Sequence, residues 1–210
     1  MKNDSLKISR FTAAERAIHW LVAISFILLA LSGLVFFHPA FYPLNQLFGG
    51  GVWTRILHPF LGLVLTGSFG LMFFRFRELN RITPTDKEWL RHAHEMMGGD
   101  DRNMPEADKF NAGQKVLFWL LVACMVLLLL SGIVIWRVYF SFLFPLAVIR
   151  LAAVLHAAAG AGMIALIMGH TYMAIWTSES MAAMLYGQVR RAWARQHHPA
   201  WFRQITGGGK

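Results

Sequence analysis

The chain has 210 residues, is 56% hydrophobic and carries a formal net charge of +9. Its single cysteine, Cys124, excludes a disulfide within the chain and a cysteine-ligated iron–sulfur cluster, and no C-x-x-C-H run is present for covalent haem attachment. A basic balance of this size could suit nucleic acid, but the distribution of charge argues against that partner. Four Lys and Arg precede the first apolar run, eight lie between Arg75 and Lys115 and five follow the last run, leaving only Arg55, Arg137 and Arg150 elsewhere. Seventeen of the twenty are thus on one side of an alternating membrane topology, and the positive-inside rule makes both termini and the long middle loop cytoplasmic.

The apolar residues fall in four blocks, which predict transmembrane helices at about 18–37, 56–74, 116–136 and 147–176. The third, VLFWLLVACMVLLLLSGIVI, is apolar all round and has no face to offer water. A soluble bundle is therefore excluded in favour of an all-α membrane protein: one four-helix domain over 1–210, with a cytoplasmic loop at 75–115 and a cytoplasmic tail at 177–210. The residues before Thr12 read as a polar arm. Thr12 and Glu15 then have the spacing of a capping box at the start of the first helix. That helix is too long for a signal-peptide core and is expected to remain in the protein. His38 is expected in an aromatic outer loop, and Pro59 in a first turn or at a kink, which places His58 at the outer entrance of the second helix.

In the middle loop, Thr83-Pro84 predicts a helix start, followed by a mixed-charge helix carrying His92 and His94 on a solvated face, then a Gly- and Asp-rich loop. Asn111 is a candidate N-cap of the third span. Residues 180–196 are expected to form one further surface helix, with His197 and His198 in an interfacial tail. No internal repeat is evident.

Four histidines lie within the apolar runs. His156 and His170 are fourteen residues apart on one helix, which is about 40° short of four full turns and a rise of about 21 Å, so both imidazoles face the same way at different depths. Alternating helix direction places His58 level with His156 near the outer side, and His19 level with His170 near the cytoplasmic side. An imidazole in lipid needs a partner, and two level-matched pairs supply the axial nitrogens of two stacked b-type haems. Two nitrogens alone leave tetrahedral zinc incomplete. Small residues at Ala157 to Gly162, with Gly33, Gly62 and Gly132, leave room for a flat macrocycle or for close helix packing. Arg16 and Arg55, each three residues before a histidine on the same face, are candidates to pair with haem propionates.

The motifs ERAIHW, RILHPFLG, FNAGQKVLFW, SGIVIWR, the Leu155-His156 pair and HHPAWF occur in an order that resembles the cytochrome b, or gamma, subunit of respiratory membrane-bound formate dehydrogenase. More distant resemblance extends to the cytochrome b subunits of nickel–iron hydrogenases and thiosulfate reductase. The resemblance implies two haem b groups, an iron–sulfur beta subunit as electron donor, and a molybdenum- or tungsten-containing alpha subunit that oxidises formate. It also implies a bacterial cytoplasmic-membrane location and a trimer of three-subunit units. Electrons would enter at His58 and His156, cross to His19 and His170, and reduce menaquinone or ubiquinone at Asn111, Gly113, Gln114 and His170. This chain carries no catalytic dehydrogenase motif. The competing readings are the same role beside a hydrogenase, or a haem-free membrane anchor or transporter.

Overall fold

The computed structural model describes residues 7–97 and 104–207; the Gly- and Asp-rich loop around residue 100 and the last three residues lie outside them. In chain order the elements are β1 (Lys7–Ser9), α1 (Ala13–Phe37), a 3-10 stretch (Pro39–Phe48), α2 (Gly51–Phe76), α3 (Pro84–Met97) and α4 (Ala112–Ile135). A short 3-10 turn (Ser141–Leu143) leads to α5 (Leu146–Trp176), α6 (Ser180–Tyr186), β2 (Gln188–Arg190), α7 (Arg191–His197) and α8 (Pro199–Gly207). Four helices, α1, α2, α4 and α5, are long and apolar enough to cross a membrane. Two compact units result, one formed by Ala17–Phe74 with Leu120–His170, the other by the remaining segments.

The first unit is a four-helix bundle. Its core is Leu65, Phe69, Met125 and Met163, flanked by Phe26, Leu29, Leu128 and Ile167. Leu65 lies two turns after His58, Met163 two turns after His156 and two turns before His170, and Phe26 two turns after His19. The apolar core therefore occupies the level between the two pairs of histidines. Leu21, Ile24, Ile27, Leu63, Leu71, Leu151, Val154 and Met168 point outward and are exposed. A surface this apolar suits acyl chains rather than water.

α2 begins earlier than expected, at Gly51, so Pro59 sits in the helix interior and His58 is helical. The start is set by Gly49 and Gly50, both at positive φ, and by Thr54, whose N–H and hydroxyl both donate to the Gly50 carbonyl. Proline removes one helical donor but does not end a membrane helix whose neighbours hold it in place. His38 is exposed and caps the 3-10 stretch, its Nδ1 accepting from the Ala40 N–H.

The second unit keeps the expected caps and replaces the expected tail. Thr12 and Glu15 form a reciprocal capping box, and Glu15 pairs with Arg75 at 2.7 Å. Thr83 and Asp86 do the same at α3. Burial alone would raise the Asp86 carboxyl, but hydrogen bonds from Lys115 and Thr83 outweigh it and hold the group below the usual carboxylate range. The single helix expected over 180–196 is instead broken at Gly187, where φ is +79°. A Cβ there would come within 2.6 Å of the Phe11 carbonyl oxygen. The chain turns into β2, which pairs antiparallel with β1, Lys7 opposite Arg190 and Ser9 opposite Gln188. The polar arm is thus a strand in its last residues.

His198 is not an interfacial tail residue; it is 4% exposed. Its Nδ1–H donates to the Asp108 carbonyl at 2.6 Å, and its Nε2 accepts from Arg10 at 3.0 Å. Arg10 also donates to the Lys109 carbonyl and lies over the rings of Trp193 and Trp201. Burial, and the neighbouring Arg10 charge, push the His198 imidazole down to about 3. The folded state then binds fewer protons than the unfolded one between pH 3 and about 6.5, so the contribution of His198 to stability is complete above that window and lost as pH falls through it. The difference in thermal midpoint between the parent protein and His198→Ala is expected to be constant above pH 7 and to shrink steadily towards pH 4, measured by calorimetry in detergent.

Candidate haem-ligating site

All four membrane histidines belong to the bundle unit, and the helices bring them together as two pairs. His58 on α2 and His156 on α5 have ring centroids 6.3 Å apart, with planes inclined at 68°. His19 on α1 and His170 on α5 are likewise 6.3 Å apart, with planes at 52°. Among the described residues no hydrogen bond joins the rings of either pair. With an imidazole–metal bond of about 2 Å and each ring nitrogen roughly 1 Å from its centroid, an ion held collinearly between two imidazoles needs centroids about 6 Å apart. Both pairs meet that distance.

The His58–His156 pair is held by two serines that the sequence alone does not single out. Ser32 on α1 lies 2.7 Å from His58 Nδ1, and Ser131 on α4 lies 2.9 Å from His156 Nδ1. Each serine has one hydroxyl proton, and each donates it within its own helix, Ser32 to the Leu29 carbonyl and Ser131 to the Leu127 carbonyl. A serine that gives its one proton to a helix carbonyl can accept from Nδ1–H, the tautomer that keeps the Nε2 lone pair of His58 and of His156 free. A neutral imidazole with a bare Nε2 is the form that ligates a metal.

Each serine is followed by a glycine beside the same ring. A Cβ at Gly132 would be tight against His156, 3.3 Å from Cε1, whereas one at Gly33 would make an ordinary contact 3.5 Å from His58 Cε1. Gly62 faces open space, as does Gly162. Leu31-Ser-Gly-Leu-Val35 and Leu130-Ser-Gly-Ile-Val134 are thus a short internal repeat, contrary to expectation, and each is followed by its histidine 26 or 25 residues later. Five residues of apolar character vanish in a background of the same composition, which is why the repeat is visible only once its contacts are known.

His19 differs, because its Nδ1 is buried with no hydrogen-bond partner among the described residues. Arg55 lines a pocket of about 420 Å³ with Val35, Phe36, Tyr42, Gly51 and Val52, one turn from His58. Arg16 has a different engagement, donating to the Leu185 carbonyl in the other unit of the chain to which it belongs. His92 and His94 lie on α3, His94 exposed with its ring against the Arg91 carbonyl. Among the described residues no group of three or more His, Cys, Asp or Glu side chains could hold a metal by itself. Asn111 and Gln114 form a reciprocal cap at α4: Gln114 N–H donates to Asn111 Oδ1, and Asn111 N–H to Gln114 Oε1. Trp89 lies against Gly113.

Paired histidines inside an apolar helix bundle suit haem, which needs only two axial nitrogens from a protein. The model of the family described as prokaryotic cytochrome b561 matches residues 10–187, and the chain belongs to that family. It is 42% identical over 203 residues to the cytochrome b556(Fdn) subunit of the nitrate-inducible formate dehydrogenase of Escherichia coli K12, covering 97% of this chain and 94% of that subunit. It is also 42% identical to the cytochrome b556(fdo) subunit of the same organism over 94% of this chain and 93% of that one. The formate dehydrogenase cytochrome b556 subunit of Haemophilus influenzae is 34% identical over 97% of this chain.

The residues present fit haem b by three observations: the ring separation, the bare Nε2 atoms, and the glycines against the rings. Gly132→Val is expected to press a side chain on the His156 ring and reduce bound haem by half or more, while the helix content by circular dichroism is unchanged; haem per chain is read by the pyridine haemochrome assay.

Proposed function

We propose that this chain is the membrane electron-transfer subunit of a formate dehydrogenase, conducting electrons from an iron–sulfur subunit on the outer side of the bacterial cytoplasmic membrane to a quinone on the inner side. The observation that carries the proposal is the pair of equal 6.3 Å histidine separations within a cytochrome b fold. His58 and His156 would hold one haem b, and His19 and His170 a second. Bound haem supplies reversible one-electron chemistry at an iron whose potential the protein sets. The concentration of Lys and Arg in the termini and in the 75–115 loop supports an orientation with those segments cytoplasmic. Arg55 is suitably placed to neutralise a propionate near His58.

Quinone would be bound near the start of α4 by Asn111, Gly113 and Gln114. The oxygens of Asn111 and Gln114 are spent on capping the helix, so the donors left for a quinone carbonyl are their side-chain NH2 groups. Drawing electrons inward and protons from the cytoplasm separates charge across the membrane, at about 2.3 kcal/mol per elementary charge for each 100 mV. Formate oxidation itself would take place on a molybdenum- or tungsten-containing partner, in a trimer of three-subunit units.

The test is haem quantitation with a reduced-minus-oxidised spectrum of the purified complex, using formate and then hydrogen as reductant. Two non-covalent haems per chain, reduced by formate, are expected. His156→Ala should lose one of the two, and the retention of both in that variant would defeat the assigned pairing. Reduction by hydrogen and not by formate would transfer the chain to a hydrogenase.

A further inference from the structure

The two histidine pairs have the same separation but unequal support. At His58 and His156 each Nδ1 lies within hydrogen-bond distance of a serine oxygen, and each serine is fixed in turn by its bond to a helix carbonyl. At the other pair, His19 Nδ1 is buried without a partner among the described residues, and His170 is in ring contact with His19. An imidazole that donates from Nδ1 gains imidazolate character, so its Nε2 becomes a stronger base towards a ligated metal. Stronger donation favours the more highly charged oxidised iron and lowers the reduction potential. An imidazole without such an acceptor donates less.

Resting on the haem assignment made above, we propose that Ser32 and Ser131 are positioning residues that fix the His58 and His156 tautomers and lower the potential of the haem held there below that of the haem held by His19 and His170. The Leu-Ser-Gly repeat is the device. Its serine sets the charge on the ligand, and its glycine lets the ring approach the helix. Because both rings of one pair have a serine at Nδ1 while His19 in the other pair has no partner among the described residues, the difference is built into the bundle and directs electrons from the His58 and His156 level to the His19 and His170 level.

The experiment is a redox titration of the haem-loaded full-length protein in its complex, followed by visible absorbance, on Ser32→Ala, Ser131→Ala, the double variant and Ser131→Thr. The double variant is expected to keep its haem and to make the lower-potential wave at least tenfold easier to reduce, an upward shift of 59 mV or more for one electron. The higher-potential wave should stay where it is, and Ser131→Thr, which keeps the hydroxyl, should titrate as the parent. If the double variant loses haem, the two single variants decide by the same upward shift of the same wave. Full haem with both waves unmoved, or movement of the higher-potential wave alone, overturns the proposal. His156→Ala is measured alongside: retention of both haems there would overturn the ligand assignment instead, so the two failures are told apart.

Discussion

A neutral imidazole buried among aliphatic side chains has a donor and an acceptor that both need partners, and the bundle is arranged around that requirement. At His58 and His156 a serine oxygen stands at Nδ1, and the two rings lie 6.3 Å apart. An unpaired polar group in hydrocarbon costs several kcal/mol, so each serine contact matters. The core of Leu65, Phe69, Met125 and Met163 then acts as a spacer between the two levels. The glycines give up packing contacts where rings must approach. Exposed leucines and isoleucines around the outside leave lipid to supply the remaining contacts.

The second unit meets a different demand. Its helices are short and its apolar content modest, so it is held by directed polar contacts: the Thr12–Glu15 and Thr83–Asp86 boxes, the Lys115–Asp86 pair, and Arg10 stacked on tryptophan rings while bonded to His198. These contacts fix the ends of the long helices. Asn111 and Gln114, each capping the other, show the economy of the arrangement, because the groups that start α4 also leave amide donors available at its first turn.

What could be seen in the sequence followed from how local the determinants are. A membrane span must be a continuous apolar run, so all four were readable, and histidines inside such runs stand out against leucine. Capping boxes span four residues and were equally plain. The failures are of another kind. Pro59 allows a first turn or a kink because its backbone constraint is local, whereas the start of α2 is set by Gly49 and Gly50, nine and ten residues before it. The contact between Arg10 and His198 joins residues 188 apart, and the β1–β2 pair closes a comparable distance. Neither leaves any periodicity in the chain. Ser32 and Ser131 have nothing in the sequence to set them apart, and only the positions of the rings reveal them as partners.

α5 carries a ligand of each pair on one unbroken rod of 31 residues. Most protein distances are equilibrium quantities, open to adjustment as side chains repack or loops shift. The interval between His156 and His170 is different: it is counted out in residues, and no motion short of unwinding the helix can change it. A single inserted residue between them would swing one ring by about 100° away from its partner's direction. The separation of the two histidines is therefore set as an integer.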